Sequence, residues 1–184
     1  MGLLDSILAA QGGKLVGQIA QNFGLDQATA EAAIRHLTPA ISRGMQRNMS
    51  DQGGIDAILD ALNRGKHKRY VDDLDRLQRS STVDEGNSIL AHIFGSKDVS
   101  RHVASHAARQ TGLDSSLLKK MLPVLASVAM GMMRKQSTAS GGLRNAMASS
   151  RSRRNMGGLL SSFLDADNDG SIADDLFKMA TKLL

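Results

Sequence analysis

The chain has 184 residues, 23 Lys and Arg against 18 Asp and Glu, a formal charge of +5 and no Cys. A chain of this length can bury roughly 70% of its unfolded surface in one core, while the absence of Cys excludes disulfides, thiolate catalysis and Cys-based zinc sites and fits a cytoplasmic protein. With no Trp, one Tyr and four Phe, the core has to be aliphatic and methionine-filled, and a stacking platform for single-stranded nucleic acid is disfavoured.

Apolar residues recur three or four apart along nearly the whole chain and nowhere alternate with the period of a strand, so the fold is predicted to be an all-α helical bundle. Leu3, Leu4, Ile7 and Leu8 form the buried face of a first helix. Met1-Gly2 followed by Ser6 also fits the short N-myristoylation pattern, but that pattern is permissive and a buried first helix explains Leu3, Leu4, Ile7 and Leu8 as well. Gly24 stands where a helix needs a left-handed C-terminal residue, and Asp26 where the next needs an N-cap. The stripe Ala30, Ile34, Leu37, Ile41 and Met45 then marks a long helix, with Pro39 expected to kink it.

These elements make a first helical unit, 1–64, followed by a charged linker helix, 65–82, where Lys66, Lys68, Arg69, Arg76 and Arg79 face Asp72, Asp73 and Asp75. The order then repeats. Gly24-Leu25-Asp26 returns as Gly112-Leu113-Asp114, Pro39 as Pro123, Gly44-Met45-Gln46-Arg47 as Gly131-Met132-Met133-Arg134, and Gly53-Gly54 as Gly141-Gly142. The internal spacing differs by about one helical turn, an indel that keeps the buried face in register. A second unit, 83–136, is therefore expected as a diverged copy of the first. A Ser/Gly/Arg-rich linker follows at 137–155, then a C-terminal helix, acidic loop and helix at 156–184. The longest apolar run, Met121 to Met133, is shorter than a membrane span and carries Pro123, Ser127 and Gly131.

The segment Asp84-Glu85-Gly86-Asn87-Ser88-Ile89-Leu90-Ala91-His92-Ile93-Phe94-Gly95, with Thr111-Gly112-Leu113-Asp114, Met121-Leu122-Pro123 and Met130-Gly131, resembles the bacterial domain of unknown function 937 family, which includes the YidB-like helical proteins. The resemblance is most specific over 84–134, extends to 1–60 as a diverged copy, and also takes in Leu164 to Ile172. It implies an all-helical bacterial protein and supplies no activity.

The sharpest chemical signal is the acidic loop. Asp165, Asp167 and Asp169 alternate, Gly170 follows and Ile172 comes two later, matching positions one, three, five, six and eight of an EF-hand calcium loop. Alternate carboxylates on a tight turn can converge on a hard cation, Ser171 can add its carbonyl, and Gly permits the left-handed backbone. Position twelve, normally a bidentate Glu, is Leu176, with Asp174 and Asp175 as the nearest substitutes, so the expected Ca²⁺ affinity is weak. The alternative is a polar turn, with Asp174 and Asp175 stabilising the N-terminus of the last helix.

Asp98, His102 and His106, four apart on one helix face with His92 near, could form a transition-metal ladder, but surface or capping histidines explain them better. Lys66, Lys68, Arg69, Arg144, Arg151, Arg153 and Arg154 could attract phosphate backbones in a salt-dependent way, although no recognition helix or stacking aromatic accompanies them. Two solvated basic stretches are the simpler account.

No phosphate-binding loop, Gly-x-Ser-x-Gly elbow or paired carboxylates in apolar context occurs; Gly13-Lys14 runs straight into Leu15. A non-enzymatic interaction or assembly protein is therefore expected. Leu117 to Met133, apolar almost all round, needs burial on more than one side, by the other unit or by a partner. Homo-oligomerisation leads, with a calcium-responsive module and non-specific nucleic-acid binding as alternatives.

Overall fold

The computed structural model describes residues 2–50, 52–64, 69–139 and 150–165. All regular structure among them is helical. In chain order the elements are α1 (Leu3–Ala9), α2 (Lys14–Phe23), α3 (Gln27–Asn48), α4 (Gln52–Arg64), α5 (Arg69–Asp72), α6 (Ser80–Phe94), α7 (Lys97–Thr111), α8 (Ser115–Ala139) and α9 (Ser150–Asp165), with 3-10 turns at Ala10–Gly13 and Leu74–Gln78.

The helix ends follow from their local chemistry. Gly24, at φ +66°, closes α2. Leu25 N–H donates to the Ala20 carbonyl at 2.9 Å and Gly24 N–H to that of Gln21 at 3.3 Å, the paired bonds of a Schellman turn. Asp26 Oδ1 then accepts from Thr29 N–H at 2.9 Å and starts α3. Gly112, at φ +72°, closes α7 with a single bond to the Ala108 carbonyl at 2.8 Å. Asp114 Oδ1 accepts from the backbone N–H groups of Ser116 at 2.8 Å and Leu117 at 3.2 Å, opening α8. These contacts hold both carboxyls below the usual Asp range: for Asp26 chiefly the Thr29 hydroxyl, for Asp114 chiefly the Ser116 hydroxyl.

Two long helices make the centre. α3 packs on α1 and α2, α8 packs on α6 and α7, and α3 and α8 touch each other. Every residue from Met121 to Met133 is buried. By length and composition Ser115–Thr138 could cross a bilayer, a longer apolar stretch than Met121 to Met133 alone, but 78% of its apolar window is buried inside the protein. The apolar circumference of α8 is thus covered within the chain.

Both prolines lie inside α-helices that continue on either side of them. Pro123 marks a close helix crossing. A Cβ added to Gly86 would lie 1.9 Å from the Pro123 carbonyl oxygen, so α6 crosses α8 with backbones in contact, and only glycine fits. One turn along each helix, Ser127 Oγ donates to the Thr82 carbonyl at 2.9 Å.

Three boundaries differ from expectation. The charged segment 65–82 is not one helix: among its described residues, α5 ends at Asp72, a 3-10 turn follows, and α6 starts at Ser80. Val71 and Leu77 are both buried, yet six positions place them about 120° apart around an ideal helix, so the backbone breaks to seat both. α8 runs to Ala139 and α9 begins at Ser150, both within the expected linker 137–155. Met156, Leu160, Phe163 and Leu164 supply the reason for α9, an apolar stripe buried in the core. Between α1 and α2, Gln11, Gly12 and Gly13 all have positive φ, reversing the chain, and Gln11 Nε2 donates to the Val71 carbonyl at 2.5 Å.

Candidate functional site

Among the described residues, two concavities stand out on the surface. The first is a groove of about 320 Å³ where α3, α4 and α6 meet above α8. α4 contributes Gly54, Ala57, Ile58 and Ala61, whose helical spacing puts small residues along one edge. α6 contributes Glu85, Ser88, Ile89, His92 and Ile93; α3 gives Met45 and Asn48, and α8 gives Met130. Ile58 and Ile89 are half-buried while Ala57, Ala61 and Ser88 are exposed, so the apolar lining is reachable from solvent.

Hydrogen bonds fix one end of this groove. Asn48 Nδ2 donates to the carbonyls of Gly44 at 3.0 Å and His92 at 3.2 Å, and His92 Nδ1 lies 2.8 Å from the Ser88 carbonyl. At the same crossing a Cβ on Gly44 would lie 3.1 Å from both the Ile93 carbonyl and the Phe94 ring, which sets how closely α3 approaches α6.

On α9 the apolar stripe faces inward, and a Cβ on Gly157 would lie 2.9 Å from Ile55 Cδ1 of α4. The opposite face presents Asn155, Gly158, Leu159 and Ser162 to solvent. Leu159 is 56% exposed, the single exposed large apolar side chain among the described residues.

The second concavity, about 720 Å³, lies between the end of α2, the start of α6 and the first half of α8. Its apolar floor is Phe23, Leu77, Val83, Pro123 and Val124; its polar groups are Gln21, Asn22, Gln78, Asn87, Ser116, Lys119 and Lys120. Asn22 Oδ1 accepts from Gln18 Nε2 at 3.1 Å, while its Nδ2 is buried without a partner among the described residues.

The residues singled out from the sequence fare differently. Asp167, Asp169, Ser171, Asp174 and Asp175 of the acidic loop, and Lys66, Lys68 and Arg144 of the basic segments, lie outside the described residues. Arg69, Arg151, Arg153, Arg154 and Asp165 are placed on helices, and their side chains lie outside the described part. The ladder on α7 does not assemble: Asp98 pairs with Arg101 at 2.5 Å, His102 is exposed, and no three potential ligands gather among the described residues. His106 is pushed below the usual imidazole value by burial, then by Arg109 and by His36 of the facing α3. Neither concavity was legible as a site. Each draws residues from at least three helices distant in sequence, and the available signals, the Ala57/Ala61 edge and the Lys119-Lys120 pair, look like ordinary helix surface.

Residues 5–136 match a bacterial protein family of unknown function, DUF937. The chain belongs to this family. No curated protein and no solved structure matches it. Both concavities of this DUF937 chain lie inside the matched range, whereas Leu159, and the Leu164 to Ile172 segment that the resemblance was expected to include, lie beyond it.

Proposed function

We propose that this DUF937 chain is a non-enzymatic helical assembly protein that self-associates, the Leu159 face of α9 in one copy entering the α4–α6 groove of another. The observation that carries this reading is the coexistence, on one chain, of a solvent-facing Leu between small neighbours and an open apolar groove edged by alanines. Gly158 has open space beside it, so the α9 backbone can approach closely. Burying one Leu side chain contributes about 1.5–3 kcal/mol, and the small residues flanking it add contact area. α8 supplies no such surface, since its apolar faces are already covered.

Because the two surfaces differ, the contact is heterologous: it closes into a ring if the rotation permits, and otherwise grows into an open chain. Size-exclusion chromatography with light scattering over a range of concentrations tests the reading. The wild type is expected to exceed monomer mass increasingly with concentration, and Leu159→Glu to stay monomeric with an unchanged helical spectrum. A wild type that remains strictly monomeric at high concentration contradicts the proposal.

A further inference from the structure

The second concavity serves no purpose in self-association, and its chemistry points elsewhere. At about 720 Å³ it falls in the size range of small-molecule sites, roughly 300–1,000 Å³. Its floor is apolar, its rim carries two cations, and no carboxylate lines it. Asn22 adds a buried amide donor that finds no acceptor among the described residues, an arrangement that costs stability unless a ligand or water completes it. Asp114 lies near enough to Lys120 to feel its charge, but it is engaged in capping α8 and is not part of the lining. Pro123 has no N–H, so the helix leaves the Lys119 carbonyl without its usual donor four residues on.

We propose that the cleft between α2, α6 and α8 binds a small soluble organic anion, its charged head held by Lys119, Lys120 and the Asn22 amide and its apolar body lying on Phe23, Val83 and Val124. A carboxylate, phosphate or sulfonate head satisfies the same donors. The apolar floor selects against bare inorganic ions, and the two lysines select against neutral molecules of the same shape. No bond is made or broken; the site is a binding site.

Fluorescence titration of the full chain with 8-anilinonaphthalene-1-sulfonate, beside its neutral analogue N-phenyl-1-naphthylamine, tests this. The sulfonate is expected to saturate and to weaken about tenfold when Lys119 and Lys120 are both replaced by Ala, as two exposed charge contacts are lost. Raising the salt should weaken the sulfonate further while leaving the neutral probe unchanged. Both lysines are exposed, so the double variant should melt like the wild type. Asn22→Leu should also weaken the sulfonate, and Ile89→Glu in the α4–α6 groove should not. Equal sulfonate affinity in the Lys119→Ala/Lys120→Ala variant overturns the proposal. So does loss of binding on Ile89→Glu alone, which would place the probe in the other groove. Lysine-dependent sedimentation with phosphatidylglycerol vesicles would assign the cations to a membrane surface and overturn it as well. None of these outcomes depends on self-association.

Discussion

α3 and α8 begin from the same local code and settle into different surroundings. Each is preceded by Gly-Leu-Asp, each is opened by that Asp, and each carries a proline in its interior. Around Pro123 the close approach is accommodated and the buried hydroxyl is paired: Gly86 lets α6 touch the proline carbonyl, and Ser127 finds the Thr82 carbonyl. Around Pro39 the buried hydroxyls of Thr38 and Ser42 have no partner among the described residues. Local sequence therefore sets where a helix starts, while the neighbour it meets decides whether a buried hydroxyl stabilises or costs.

Substitutions can break that contrast, and the largest effect should come from Gly86→Ala. A Cβ 1.9 Å from a backbone oxygen cannot be absorbed by a side-chain adjustment, so α6 must move off α8. A loss of about 3 kcal/mol or more in denaturant unfolding is expected. Gly44→Ala, whose Cβ would meet its neighbours at 3.1 Å, should cost less, about 1 kcal/mol.

Ser127→Ala removes a buried donor from the α6–α8 contact and should cost about 1 kcal/mol by the same measurement. Thr38→Val should have the opposite sign, raising stability by up to about 1 kcal/mol, because it replaces an orphaned hydroxyl with a methyl of similar size. If both variants shift stability in the same direction, the contrast between the two helices is lost.

The smallest effect concerns pH. The carboxyls of Asp26 and Asp114 titrate below the ordinary 3.8 in the folded chain. Their stabilising contribution is therefore complete above 3.8, the unfolded value, and is lost as pH falls through the lower folded values. The gap in melting temperature between wild type and an Asp26→Ala/Asp114→Ala variant should be constant at neutral pH and narrow below that point.

How much of this was legible depends on the range of the interaction. Gly24, Asp26, Gly112 and Asp114 could be read because their partners lie within five residues in the chain. The stripe on α3 could be read because helical periodicity is itself local. The break after Asp72 could not, since it exists to seat Val71 and Leu77 against helices remote in sequence. α9 was legible as a helix but not in its start, because Ser150 to Arg154 look like linker until Met156 and Leu160 are known to be buried. The two concavities lay furthest from reach: Asn22 and Lys119, or Ala57 and Ile89, become neighbours only after the bundle closes.

The natural absence of cysteine makes the assembly contact directly testable. Two single variants, Leu159→Cys on α9 and Ala57→Cys on α4, are mixed and oxidised. A disulfide-linked heterodimer is expected in the mixture, in excess of any cross-linking by either variant alone and diminished when Ile89→Glu is added to the Ala57→Cys chain. A mixture that cross-links no more than the separate variants would contradict it.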